Sequence, residues 1–158
     1  MEEISIMIAG KLKELYNIAY AMIAKKNYEK AKDCYENAAQ LCSVIQYSEG
    51  SVMAWISLAN LYMLQQEDLK AFEYGRKAEE GCKSSHIVME PEPEEFLRKL
   101  SKRLLQQGIS LEQKNKLVEA YQIYEMILPY LNERNRGAVE QEMKLIRLQK
   151  SKEIKSNG

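Results

Sequence analysis

The sequence predicts an all-α protein. Three observations carry that expectation. The 158 residues hold only 7 Gly and 3 Pro, and apart from Asp33 and Asp68 every acidic side chain is Glu, in a chain otherwise rich in Lys, Leu, Ala and Met; such a composition favours helix and disfavours turns. A spacing of small and aromatic residues recurs three times: Ala19, Ala31, Tyr35 and Ala38; Ala59, Ala71, Gly75 and Ala78; Gly108, Ala120, Tyr124 and Ile127, each set separated by 12, 4 and 3 positions. Apolar residues make up 46 % and charged residues 29 %, which excludes low-complexity and globally disordered chains.

The elements follow in order. Residues 2–11 extend a first helix that carries Ala19. Asn27-Tyr28-Glu29-Lys30 is a polar, helix-starting string ahead of Ala31, and Glu67-Asp68-Leu69-Lys70 stands in the same place ahead of Ala71, as does Asn115-Lys116-Leu117-Val118-Glu119 ahead of Ala120. Between the first two strings, Gly50 to Gln66 is a 17-residue uncharged run, too short and too polar for a membrane span and read as a buried amphipathic helix. Ser84 to Glu95, with Pro91 and Pro93 in an acidic string, reads as the one long loop, 84–95. From Ala138 to about Ile154, Val139, Met143, Ile146 and Lys150 fall on one stripe with a basic opposite face, the pattern of a terminal helix that covers a last apolar surface.

Small residues at the first, second and fourth marks let antiparallel helices approach closely, and the aromatic fills the remaining gap. The pattern, most plainly Trp55, Leu58, Ala59, Tyr62, Ala71 and Ala78, resembles the tetratricopeptide repeat, with Ala standing for the family's Gly. The resemblance implies an α-solenoid of three tetratricopeptide-type helical hairpins, 12–45, 52–85 and 101–134, with a C-terminal capping helix at about 138–154, all in one domain, 1–158. The family's closing proline is missing at Ser43, Lys83 and Asn132, so the helices can run long. Gly75 replaces an aromatic, at a cost of about 1 kcal/mol of helix propensity, and either Tyr74 or another packed element is expected to cover the gap.

The resemblance also implies a concave groove lined by the first helix of each hairpin. Its partner-binding positions are Tyr16, Tyr20 and Ile23, with Lys13 and Ala24, in the first unit; Met53, Ile56, Asn60 and Met63, with Leu64, in the second; and Lys102, Leu105 and Ile109, with Glu112 and Gln113, in the third. Chaperone-binding members of the family clamp a C-terminal carboxylate; the matching positions here are Tyr16, Tyr20, Ser57, Lys102 and Gln106, of which only Lys102 agrees, so that activity is not expected. Small bacterial secretion chaperones of about this length also carry three such units, but no motif here selects them. The expected function is that of an adaptor or chaperone-like module holding a hydrophobic or amphipathic protein segment, since an aliphatic, Met-rich groove can repack around apolar side chains. The alternative is a self-associating structural subunit or homodimer, its groove filled by a second copy or in cis by Ile4, Ile6, Met7 and Ile8. Met and Tyr stripes at helical spacing also serve a core, and the amide of Asn60 suits either a peptide backbone or a neighbouring helix.

Other classes lack raw material. His86 is the only histidine, and Cys34, Cys42 and Cys82 show no metal-ligand spacing. No nucleophile elbow, glycine-rich phosphate loop or HExxH is present, so neither enzyme action nor a cofactor is expected. The formal net charge is zero, which argues against nucleic acid as a partner, although residues 1–97 carry −6 and residues 98–158 carry +6. Those opposite signs are compatible with steering an acidic partner to the C-terminal end or with head-to-tail association, as well as with ordinary solvated helix faces. The acidic start Met1-Glu2-Glu3-Ile4 does not resemble an export signal, so a cytoplasmic location without membrane insertion is expected.

Overall fold

The computed structural model describes residues 2–157, and these contain helices and turns but no strand. The elements are α1 (Glu2–Ala24), α2 (Tyr28–Val44), α3 (Ser48–Leu64), α4 (Asp68–Ser84), α5 (Pro93–Gln113), α6 (Leu117–Ile127), a 3-10 turn (Leu128–Tyr130) and α7 (Glu133–Asn157). The protein is therefore all-α. Its contacts divide into two compact units, the first ending at Phe96 and the second beginning at Leu97. The division falls where the net charge of the chain changes sign.

In the first unit α1 packs on α2, α2 on α3 and α3 on α4, the nearest-neighbour order of a solenoid. The twelve positions of the recurring spacing are all buried, with Ala19, Ala31, Ala38, Ala59, Ala71 and Ala78 fully so. Small side chains at these points leave no room for solvent between the helices. Phe72, Leu58, Leu61 and Val52 fill the remaining interior. Gly75 is buried, and Tyr74 is turned onto α3, where its ring stacks on Tyr62 with centroids 5.5 Å apart.

Each helix of the first unit ends in the same way. Lys26, Gln46, Gln66 and His86 adopt φ of 60°, 57°, 59° and 52°, one every 20 residues. The next amide reaches back into the preceding helix: Asn27 N–H donates to Met22 O at 2.8 Å, Tyr47 to Cys42 at 2.8 Å, Glu67 to Tyr62 at 2.9 Å and Ile87 to Cys82 at 2.9 Å. That bond satisfies a carbonyl the helix end would otherwise leave open, as in a Schellman cap. None of these left-handed positions is Gly, although the conformation costs an L-residue on the order of 1 kcal/mol. Asn27 also caps α2, its Oδ1 accepting from Lys30 N–H at 3.3 Å.

Several expected boundaries move. α3 starts at Ser48, four residues ahead of the expected unit at 52, and α5 starts well ahead of 101. The expected loop at 84–95 shrinks to 85–92, because α4 runs through Ser84 and α5 begins at Pro93. Proline at the first helical position sacrifices no helix hydrogen bond, and Glu94 and Glu95 lie in the first turn, where negative charge is favourable. In the second unit α7 is longer than the expected 138–154. It is capped by Asn132, whose Oδ1 accepts from Asn135 N–H at 2.8 Å, and it buries Val139, Met143 and Ile146 against its neighbours.

Candidate functional site

The first unit carries seven of the ten expected partner-binding side chains, on α1 and α3. On α1, Leu15 and Ala19 anchor the buried side; turning 100° per residue from them brings Tyr16, Tyr20 and Ile23 to one flank. On α3, Val52, Ala54, Leu58, Ala59, Leu61 and Tyr62 are buried, and Met53, Ile56, Asn60 and Met63 form a stripe on the other side. Tyr20 is 64 % exposed, Met53 50 % and Leu64 59 %. Tyr16, Ile23, Ile56 and Met63 are partly buried, and Asn60 is exposed.

Tyr16 of α1 stands between Tyr35 of α2 and Ser57 of α3. Its ring meets that of Tyr35 on α2 with centroids 5.5 Å apart and planes inclined at 54°. The phenol is pushed up to about 12 by burial, an effect that the neighbouring Ser57 hydroxyl on α3 partly offsets. Ser57 donates its own hydrogen to Met53 O at 2.9 Å. The buried Tyr16 Oη completes no hydrogen bond among the described residues.

The remaining three residues lie on α5, in the second unit: Lys102 and Ile109 are exposed and Leu105 is partly buried. Glu112, a groove position by register, is engaged within that unit. It accepts a hydrogen bond from Tyr124 Oη on α6 at 2.6 Å, and it comes within hydrogen-bonding reach of the Glu142 carboxyl on α7. Burial, and then the bond to Glu112, push the Tyr124 phenol well above its ordinary range. The Glu112 contact, with burial and the repulsion between the two carboxyls, raises Glu142. An acid raised in the folded state takes up protons on folding, so this contact loses stability as pH climbs from the ordinary carboxylate range through the raised value. Glu142→Gln removes the charge and keeps a donor for Glu112. It is expected to stabilise the second unit at pH 7 by on the order of 0.5 kcal/mol, with the gain vanishing in acid. Urea unfolding at the two pH values checks this; a variant that is less stable at pH 7 contradicts it.

In the alternative reading, the groove is filled by a second copy or in cis by Ile4, Ile6, Met7 and Ile8. They instead continue α1 as helix, with Ile4, Ile6 and Met7 more than half exposed. A segment continuous with α1 cannot fold back across α1's own face. Ile4, Ile8 and Leu12 instead line a recess of about 380 Å³ with Ile45 and Tyr47. Their spacing of four is legible in the sequence, but the turn that forms the opposite wall is not.

The three cysteines are free; Cys34 and Cys42 are buried and Cys82 partly so, and burial raises all three thiols, which makes them poor nucleophiles. Among the described residues no group of three or more His, Cys, Asp or Glu is placed to hold a metal ion. No described helix is long and apolar enough to cross a membrane.

The fold and these faces define a class: an all-helical protein whose first unit stacks consecutive antiparallel hairpins and leaves an aromatic and aliphatic face on alternate helices. No protein-family model matches the chain, and no curated protein sequence matches it. The tetratricopeptide resemblance accordingly rests on the spacing of residues in the sequence alone.

Proposed function

We propose that the chain is a tetratricopeptide-type protein-interaction module, an adaptor or chaperone-like protein that holds a hydrophobic or amphipathic segment of a partner against the α1 and α3 face of its first unit. One observation carries the reading. Tyr20, Met53 and Leu64 stay half exposed or more on helices whose other sides are buried at Leu15 and Ala19 on α1 and at Leu58, Ala59, Leu61 and Tyr62 on α3, and no charged side chain stands among Met53, Ile56, Asn60, Met63 and Leu64 along α3. Burying three such anchors contributes roughly 5 to 9 kcal/mol before the cost of association, which leaves affinity of about micromolar order. The exposed Asn60 amide supplies a donor and an acceptor for the backbone of an extended segment. On α5 the exposed Lys102 and Ile109 with Leu105 offer a second, more polar set of contacts.

The test is selection from a phage-displayed library of random peptides on the immobilised full chain. Enrichment of peptides with two or three spaced apolar residues is expected. Tyr20→Glu and Ile56→Glu should each weaken the selected peptides about 100-fold, the cost of burying an unpaired carboxylate in the interface, while far-ultraviolet circular dichroism stays unchanged. No enrichment, or peptides retained by both variants, overturns the reading.

A further inference from the structure

Glu3, Ile6, Gly10 and Lys13 of α1 are all exposed. Their spacing of 3, 4 and 3 places them on one stripe at 100° per residue, turned away from the buried Leu15 and Ala19. Ile6 is 68 % exposed. A Cβ added at Gly10 would meet nothing within 4 Å, so the packing of this chain does not require glycine there, although glycine in a helix interior costs about 1 kcal/mol relative to Ala. Neither Glu3 nor Lys13 forms an ion pair among the described residues; Lys11 is instead paired with Glu14 at 3.7 Å.

The stripe is self-complementary. Laid antiparallel on its own copy about a two-fold axis near Ile8, it sets Ile6 of each chain over the gap at Gly10 of the other and Glu3 of each beside Lys13 of the other. We propose that this face of α1 is the contact through which two copies of the chain form an antiparallel, two-fold dimer. An isologous contact of this kind uses the same patch twice, and the 3, 4, 3 spacing is that of a helix-helix seam. Charge complementarity specifies the second copy as the occupant, because the acidic and basic ends of the stripe exchange places across the axis. The contact spans only about three turns, at the small end of specific interfaces, so the dissociation constant falls in about the 10 µM to 1 mM range. Lys13 also borders the expected groove, but Tyr20, about two turns further along α1, lies outside the stripe, so Tyr20→Glu separates this contact from the proposed peptide-binding face.

Sedimentation equilibrium of the full chain from about 1 µM to about 1 mM tests the contact. The wild type should pass from monomer to dimer and shift toward monomer in high salt. Lys13→Glu should raise the dissociation constant about tenfold, and Ile6→Glu should do the same or more. The double variant Glu3→Lys with Lys13→Glu should return to within about threefold of wild type, and Tyr20→Glu should dimerise as wild type does. A wild type that is monomeric throughout overturns the proposal. So does a dimer indifferent to Ile6→Glu and Lys13→Glu, or a double variant that stays monomeric.

Discussion

Phe72→Ala is expected to destabilise the first unit by about 3 to 5 kcal/mol. The ring is fully buried on α4, directly after Ala71, where α4 meets α3. Its removal leaves a cavity that neighbouring side chains cannot refill without leaving their rotamers. Against a total of about 5 to 15 kcal/mol for a typical domain, that is a large fraction, enough to unfold α3 and α4 locally at moderate urea concentration. Leu69→Ala on the same helix is the control: Leu69 is 51 % exposed, so its loss should stay within about 0.5 kcal/mol. Urea titration with amide exchange across α3 and α4 reads both. Equal effects would mean that Phe72 is not the interior side chain described here.

The second large effect runs against ordinary helix propensity. Glycine to alanine inside a helix normally gains about 1 kcal/mol, yet Gly108→Ala is expected to cost the second unit about 1 to 3 kcal/mol. A Cβ at this position of α5 would stand 2.6 Å from Cε1 of Tyr124. That ring is almost wholly buried, and its hydroxyl is tied to Glu112 at 2.6 Å, so it cannot swing aside without breaking the bond. Gly137→Ala on α7, where an added Cβ meets nothing within 4 Å, should have the opposite sign, a gain of about 0.5 to 1 kcal/mol. Thermal unfolding of the two variants separates close packing from propensity. If both gain stability, α5 and α6 do not approach each other as closely as Gly108 and Tyr124 imply.

Much of the interior is legible in the amino-acid sequence. The 12, 4, 3 spacing picks out twelve positions, and all are buried, because nine small residues at fixed intervals allow close helix approach and Tyr35, Tyr124 and Ile127 fill the gaps that remain. The boundaries are less legible. The 20-residue recurrence of left-handed turns at Lys26, Gln46, Gln66 and His86 carries no compositional mark, since those ends use Lys, Gln and His where glycine is the usual signal. Pro93 reads as a helix breaker in isolation and as a helix start once α5 follows it.

The candidate site divides in the same way. Helical register alone places Tyr20, Met53 and Asn60 on open flanks of α1 and α3, where they are exposed, since period and burial are linked within a single amphipathic helix. Register also puts Glu112 among the groove positions, and there it falls short. Whether a carboxylate faces a partner or its own fold depends on what other helices bring near it, here Tyr124 from α6 and Glu142 from α7.

The sequence by itself thus determined the helical class, the buried stripes and the sides left apolar, all properties carried by residue type and spacing within one helix. Only the tertiary structure decided where each helix stops, that the chain divides near Phe96 and Leu97, and that Gly108 is required while Gly10 is not. Those depend on distances between segments far apart in the chain, which local periodicity does not encode.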